Sequence, residues 1–298
     1  KGIRSAPRDV LIADTTDEAN RGRAFGFHRA MDTAGATLGP LLVLLIVWLA
    51  LGHPLSGELG KSHRNIYSIV FIASAVPAVL GWLVLVAFVR ERRHEPGAAK
   101  PPQLKFSSLD RRFRLFLGIV TLFSIGNSSD AFLVLRATSK PISMGFLNFL
   151  WVYVVFNGLS AIVSLRSGIL SDRIGRKPVV VTGWLVFAVV YFAMARVTTQ
   201  AGIWAWFVIY GVYYGMTEGI LRAYAVDLAP PELRGTAVGA YYTFAGIALL
   251  PASIIAGYLW DKVGPSAPFY YGGATALAAA VLLALAIPGA PRPTPSES

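Results

Sequence analysis

The 298-residue sequence has no cysteine, which excludes a disulfide framework, zinc–thiolate sites and iron–sulfur clusters. It is also poor in charge. Asp, Glu, Lys and Arg make up 14% of the residues, against roughly 25% in an ordinary soluble domain, which is too little polar surface to clothe a water-soluble globule. The four histidines are scattered, so no cluster has metal-ligand spacing, and neither a metal nor a cofactor is expected. No Gly-x-x-x-x-Gly-Lys-[Ser/Thr] segment is present, so nucleotide-driven pumping by this chain has no support. No nucleophile or metal constellation is grouped at membrane depth, which argues against an enzyme. What is abundant is apolar: 55% of residues are hydrophobic and the mean hydropathy is +0.57. The formal net charge of +11 admits nucleic-acid binding or membrane topology, and the placement of the basic residues decides between them.

Uncharged runs extend from Thr33 to Gly57, Asn65 to Val89, Pro141 to Leu165, Pro178 to Ala195, Val197 to Thr217, Gly235 to Trp260 and Val263 to Pro291. Leu115 to Leu135 is an eighth, broken only by Asp130. Each reaches the roughly 18 to 20 residues that a helix needs to cross about 30 Å of hydrocarbon. The runs are continuously apolar where a β-barrel would alternate, so the fold class is all-α and polytopic. The polar segment from Lys1 to Asp14 reads as the end of a helix whose beginning is missing, so the chain is expected to be a fragment truncated at its N-terminus.

One set of connections holds Arg21 and Arg23, the cluster from Arg90 to Arg114, then Arg173, Arg176 and Lys177, then Arg234 and Arg292. The alternate set holds Lys61, Arg64, Arg136, Lys140, Arg196 and Lys262. The first set is much richer, which predicts that it faces the cytoplasm, with linker and C-terminus inside and the chain in the plasma (inner) membrane. Trp48, Trp204, Trp206 and Trp260, with Tyr67, Tyr270 and Tyr271, fall near the outer helix ends, as an interfacial aromatic belt requires. The basic surplus is thus a topology signal and no nucleic-acid partner is expected. The Pro/Gly-rich stretch in 91–111 predicts a cytoplasmic linker between a bundle remainder at 1–90 and a six-span bundle at 112–298. The six spans are expected at about Arg112–Ser139, Ser143–Ser171, Lys177–Ala195, Gly202–Leu228, Thr236–Trp260 and Ala267–Pro288.

An internal repeat supports two related halves. Asp14-x6-Arg21-Gly22-x-Ala24-x-Gly26 recurs at the same spacing as Asp227-x6-Arg234-Gly235-x-Ala237-x-Gly239. Between these copies, Gly168-Ile169-Leu170-Ser171-Asp172-Arg173-Ile174-Gly175-Arg176-Lys177 resembles the G-x3-D-R/K-x-G-R-R/K loop of the major facilitator superfamily. Linker, repeat and topology extend the resemblance over the whole chain. It implies a two-bundle transporter of twelve helices, of which about eight full spans and one partial span are present. It also implies that Gly168, Asp172, Arg173, Gly175, Arg176 and Lys177 form a gating latch, together with Asp14, Arg21, Asp227 and Arg234. Physically, Asp172 can face the positive end of a neighbouring helix or an arginine, and Gly175 permits a tight reversal. Gly35-x3-Gly39-Pro40 resembles the core of a fifth-helix motif of proton-exchanging exporters, but Val43 and Leu44 stand where that motif has glycines. A packing face with a proline kink is the other reading of that segment.

Ionisable residues inside the membrane carry the mechanistic content, since a charge at mid-bilayer costs at least about 2.5 to 3.5 kcal/mol unless paired or hydrated. Glu218 and Arg222 are spaced i,i+4, Arg29 and Asp32 i,i+3, and Arg4 and Arg8 share a helix face. Asp9 points away from that face and could pair across helices. Asp130 stands in the polar patch Gly126-Asn127-Ser128-Ser129-Asp130, and His28 reads as an interfacial or packing histidine. Asp130, Asn127 and Glu218 are expected at a proton or solute site. Arg4, Arg8, Asp9, Arg29, Asp32 and Arg222 fit either that cavity or structural ion pairs at an inner gate. The reading is a monomeric secondary transporter that moves a small solute between two rocking bundles, coupled to protons, with a lean towards export. A non-transporting sensor that keeps the fold is the alternative.

Overall fold

The computed structural model describes residues 2–51, 64–88 and 110–287, and these are almost entirely helical. Their helices are α1 (Gly2–Asp14), α2 (Arg21–Leu51), α3 (Arg64–Phe88), α4 (Arg111–Gly126), α5 (Ala131–Thr138), α6 (Phe146–Ile174), α7 (Arg176–Arg196), α8 (Gln200–Asp227), α9 (Arg234–Lys262) and α10 (Ala267–Ala286). In hydrocarbon each N–H and C=O must be satisfied within its own segment, so long apolar runs become helices. Six helical stretches among the described residues are long and apolar enough to span: Glu18–Ile46, Arg111–Thr138, Asn148–Ile174, Arg176–Arg196, Pro231–Lys262 and Ala267–Ala286. At 28 residues α8 is also long, and it carries Glu218 and Arg222 towards its C-terminal end. The expected linker lies outside the described residues up to residue 109.

Apolar side chains on the outside of the bundle, such as Ile162, Val189, Leu250, Ile254 and Leu285, are more than half exposed. That arrangement suits a lipid surround and would be costly in water. The interior is aromatic. Phe123 stacks on Trp184 with ring centroids 4.6 Å apart, and Phe187 meets Tyr213 edge-on at 4.8 Å. These rings bind α4, α7 and α8 together.

Two close approaches depend on glycine. Gly175 joins α6 to α7 at φ +94°, a left-handed value that side chains disfavour, so the chain reverses with no intervening loop. Gly168 on α6 lies against Gly22 and Gly26 on α2. A Cβ added at Gly168 would sit 2.3 Å from the Gly22 carbonyl oxygen.

The repeat is visible in local geometry. In each copy a helix ends at the aspartate, a 3₁₀ turn follows at Glu18–Asn20 or Pro231–Leu233, and the next helix opens at the arginine. Five of the six spans expected after the linker agree with α6 to α10 to within about a turn. The remaining one, Arg112–Ser139, is expected to be continuous and is instead broken at 127–130. Asn127 leaves helical geometry with ψ 78°, and Ser129 Oγ accepts the Ala131 N–H at 3.3 Å. Asn, Ser and Asp side chains compete for backbone groups, which makes four such residues in a row a poor helix interior. Gly126 also passes so near α10 that a Cβ would overlap Thr275 Oγ1.

At the end of the bundle opposite the repeat turns, buried Arg136 donates to the carbonyls of Met194 (3.2 Å), Ala195 (3.4 Å) and Val197 (2.8 Å). A guanidinium is well placed there because the C-terminus of α7 presents orphan carbonyls and the negative end of its dipole. Replacing Arg136 with Met keeps the stem but strands those carbonyls. It is expected to destabilise the protein by about 1.5–3 kcal/mol in denaturant titrations in detergent, and no change would mean that water replaces the guanidinium.

Candidate functional site

The repeat turns meet the α6–α7 turn in one charged cluster. Asp172, in the last turn of α6, accepts the backbone N–H groups of Gly22 (2.8 Å) and Arg23 (2.7 Å). Its carboxylate therefore caps the positive end of α2. Arg176 pairs with the same carboxylate and also reaches Ser171 Oγ (2.9 Å) and Asp227 Oδ2 (2.9 Å). The other Asp227 oxygen takes Arg21 Nη1 at 2.5 Å. Arg234 in turn reaches Asp14 at 3.3 Å.

Each repeat copy thus lends its arginine to the aspartate of the other. Equal spacing of the two copies is the signal for equivalence, but the exchange between them appears only in three dimensions. Lys177 Nζ donates to the Ile287 carbonyl at the end of α10 (2.6 Å). Arg173 is exposed and makes no ion pair among the described residues.

Deeper in the bundle, a cavity of about 530 Å³ opens between α1, α2, α4, α8 and α9. Its wall includes Ser5 and Arg8 from α1, Arg29 and Asp32 from α2, and Ser124 and Asn127 from the end of α4. Tyr213, Tyr214, Glu218 and Arg222 come from α8, and Tyr241 and Tyr242 from α9. Asp9 lies behind this wall, fully buried, and accepts from Arg8 (3.0 Å), Tyr242 Oη (2.6 Å) and Arg222 (3.5 Å). Arg29 pairs with Asp32 at 3.0 Å and lies 4.6 Å from the centre of the Tyr214 ring.

The structure brings Arg8, Arg29, Asp32, Asn127, Glu218 and Arg222 to one cavity, whereas Asp130 lies off it. Asp130 stands at the helix break, where it accepts from Tyr210 Oη at 3.0 Å. The side chain of Arg4 lies outside the described residues. The i,i+4 spacing suggests a Glu218–Arg222 pair, and this is corrected: Arg222 turns to Asp9 on α1 and gives only its Nε to the Glu218 backbone carbonyl (3.0 Å). A fully buried carboxylate outcompetes a partly exposed neighbour for the guanidinium, because it has no water to fall back on. Glu218 consequently makes no ion pair within 4.0 Å among the described residues.

Gly35 and Gly39 have nothing within 4 Å of where a Cβ would stand, so no described residue packs on that face, and α2 continues through Pro40. Asp9 pairs across helices, as its position off the Arg4–Arg8 face allows, and the residue that the sequence reading misses is Tyr242. A tyrosine in an apolar run carries no pattern.

Similarity to known proteins agrees with this architecture. The family model described as Major Facilitator Superfamily matches residues 2–251 and 145–298. An uncharacterised MFS-type transporter of Methanocaldococcus jannaschii is 35% identical over 289 residues, 95% of this chain and 68% of its own length. An uncharacterised protein of Mycobacterium tuberculosis is 26% identical over 277 residues, 88% of this chain and 62% of its own. Among solved structures, the proton:xylose symporter XylE bound to 6-bromo-6-deoxy-D-glucose superposes with a TM-score of 0.73 at 14% identity. That superposition covers 94% of this chain and 67% of XylE. The chain thus spans about two thirds of the length of the proteins it matches.

Proposed function

Since the chain belongs to the major facilitator superfamily, whose members are multi-pass membrane transporters rather than enzymes, we propose that it carries a small solute by alternating access, coupled to protons through Glu218. The observation that carries this reading is the state of Glu218: a carboxylate on the cavity wall with no ion pair among the described residues. A carboxylate locked in an ion pair holds its charge, whereas an unpaired one at membrane depth gains or loses a proton as the cavity changes its exposure. The Asp172–Arg176–Asp227–Arg21 cluster is the latch that holds the two repeats together at one end while the cavity is open elsewhere. The surplus of Lys and Arg on that side supports a cytoplasmic position for the latch.

Glu218→Gln in proteoliposomes is expected to abolish solute-driven proton movement while solute exchange continues. Asp130→Asn keeps an acceptor for Tyr210 and is expected to leave coupling intact. Unchanged coupling in Glu218→Gln removes Glu218 from the proton path.

A further inference from the structure

The charges around the cavity are equal in number but unevenly paired. On the α2 side a single guanidinium, Arg29, pairs with Asp32. It also lies over the Tyr214 ring, the kind of aromatic face that would otherwise receive a cationic solute. On α1 and α8, Arg8 and Arg222 both face the one carboxylate of Asp9, while Glu218, one turn from Arg222 on α8, gives Arg222 only its backbone carbonyl. Asp9 is already further satisfied by Tyr242 Oη.

Arg222 has a donor to spare. It is 5% exposed and lines the cavity, its Nε is taken by the Glu218 carbonyl, and its Nη2 has no acceptor. A buried charged donor without an acceptor is costly, and an anion in the cavity would relieve that cost. The rest of the wall is apolar and aromatic, with Phe123, Leu221, Leu249, Tyr213 and Tyr241 beside the polar groups. The volume of about 530 Å³ is that of a site for a small organic molecule.

We propose that the solute is an aromatic or similarly apolar organic acid, its carboxylate received by Arg222 and Arg8 and its ring lying against Phe123, Tyr213 and Tyr241. The inference names the solute class of the transport reading above and rests on it. The charge-assisted contact supplies affinity and orientation, and the aromatic wall supplies apolar contact with an orientation of its own.

Three probes of one shape test this with the full-length protein: 4-hydroxyphenylacetate, its neutral amide and the cation tyramine. Equilibrium binding is read by calorimetry in detergent and movement by counterflow in liposomes. The carboxylate is expected to bind and exchange, with the amide and tyramine at least tenfold weaker. Arg222→Gln is expected to weaken the carboxylate roughly thirtyfold or more and to leave the amide unchanged. Because that change burdens Asp9, the double variant Asp9→Asn/Arg222→Gln, which keeps the buried pair neutral, is measured beside it and is expected to lose the same preference.

The proposal is overturned if none of the three probes binds, if the amide or tyramine binds as well as the carboxylate, or if the double variant still prefers the carboxylate. Carboxylate binding without movement would instead defeat the transport reading and leave the solute class standing. Movement of the amide or tyramine in place of the carboxylate would do the reverse.

Discussion

Asp227→Ala is expected to destabilise the protein by about 3–5 kcal/mol, the usual cost of removing one partner from a buried charge pair. The size follows from what the carboxylate holds. Arg21 and Arg176, with side chains 5% and 9% exposed, each donate to a different Asp227 oxygen, and both would be left facing a methyl group. Arg176 would retain Asp172 and Ser171, whereas Arg21 would lose the only ion pair it makes among the described residues.

The change should be read in two ways, because loss of the fold and opening of the proposed latch are different outcomes. Unfolding in detergent measures the first. The second uses the absence of cysteine: a single Cys placed at Ser5 on the cavity wall is expected to react faster with a maleimide when the latch is broken. Adding Arg21→Met to Asp227→Ala should cost less than the sum of the separate changes, since both remove one interaction. A loss below about 1 kcal/mol for Asp227→Ala would place the cluster among solvent-screened surface pairs.

Gly168→Val is the second large effect expected. Its Cβ would stand 2.3 Å from the Gly22 carbonyl oxygen and 3.1 Å from the Gly26 Cα, and neither backbone group can rotate away. Overpacking of this kind costs about 1–3 kcal/mol where side chains can yield, and more where two helices must separate. A cost above about 3 kcal/mol is therefore expected, together with loss of the Asp172 contacts to the first turn of α2, which depend on the same approach. Gly35→Val on the same helix α2 is the control, because nothing lies within 4 Å of its Cβ position, and it should change stability by less than about 1 kcal/mol. Equal melting behaviour of the two variants would show that the α2–α6 contact does not hold the fold together.

Much of the architecture is local in origin and was readable residue by residue. Apolar runs become helices because a backbone in hydrocarbon has no other partners than its own. Gly175 reverses the chain because it tolerates φ +94°, and the two Asp-x6-Arg turns adopt one geometry because they share one spacing. The resemblance carried by residues 168–177 likewise needed only sequence. What escaped the sequence were choices between competing partners. Arg222 could have served Glu218 one turn away, and packing gave it to Asp9 on another helix. The span from Arg112 to Ser139 looked continuous because the residues flanking the break are apolar, while the tight contact of Gly126 with α10 favours the interruption.

The sequence by itself determined that the chain is a helical membrane protein and where most of its helices run, since these follow from short-range hydrogen bonding and transfer free energy. Only the tertiary structure decided which charges pair, that the two repeats exchange their arginines, and that Glu218 is left without an ion pair in the cavity. Those outcomes depend on which helices become neighbours, and a buried charge takes the partner that is nearest in space rather than nearest in the chain.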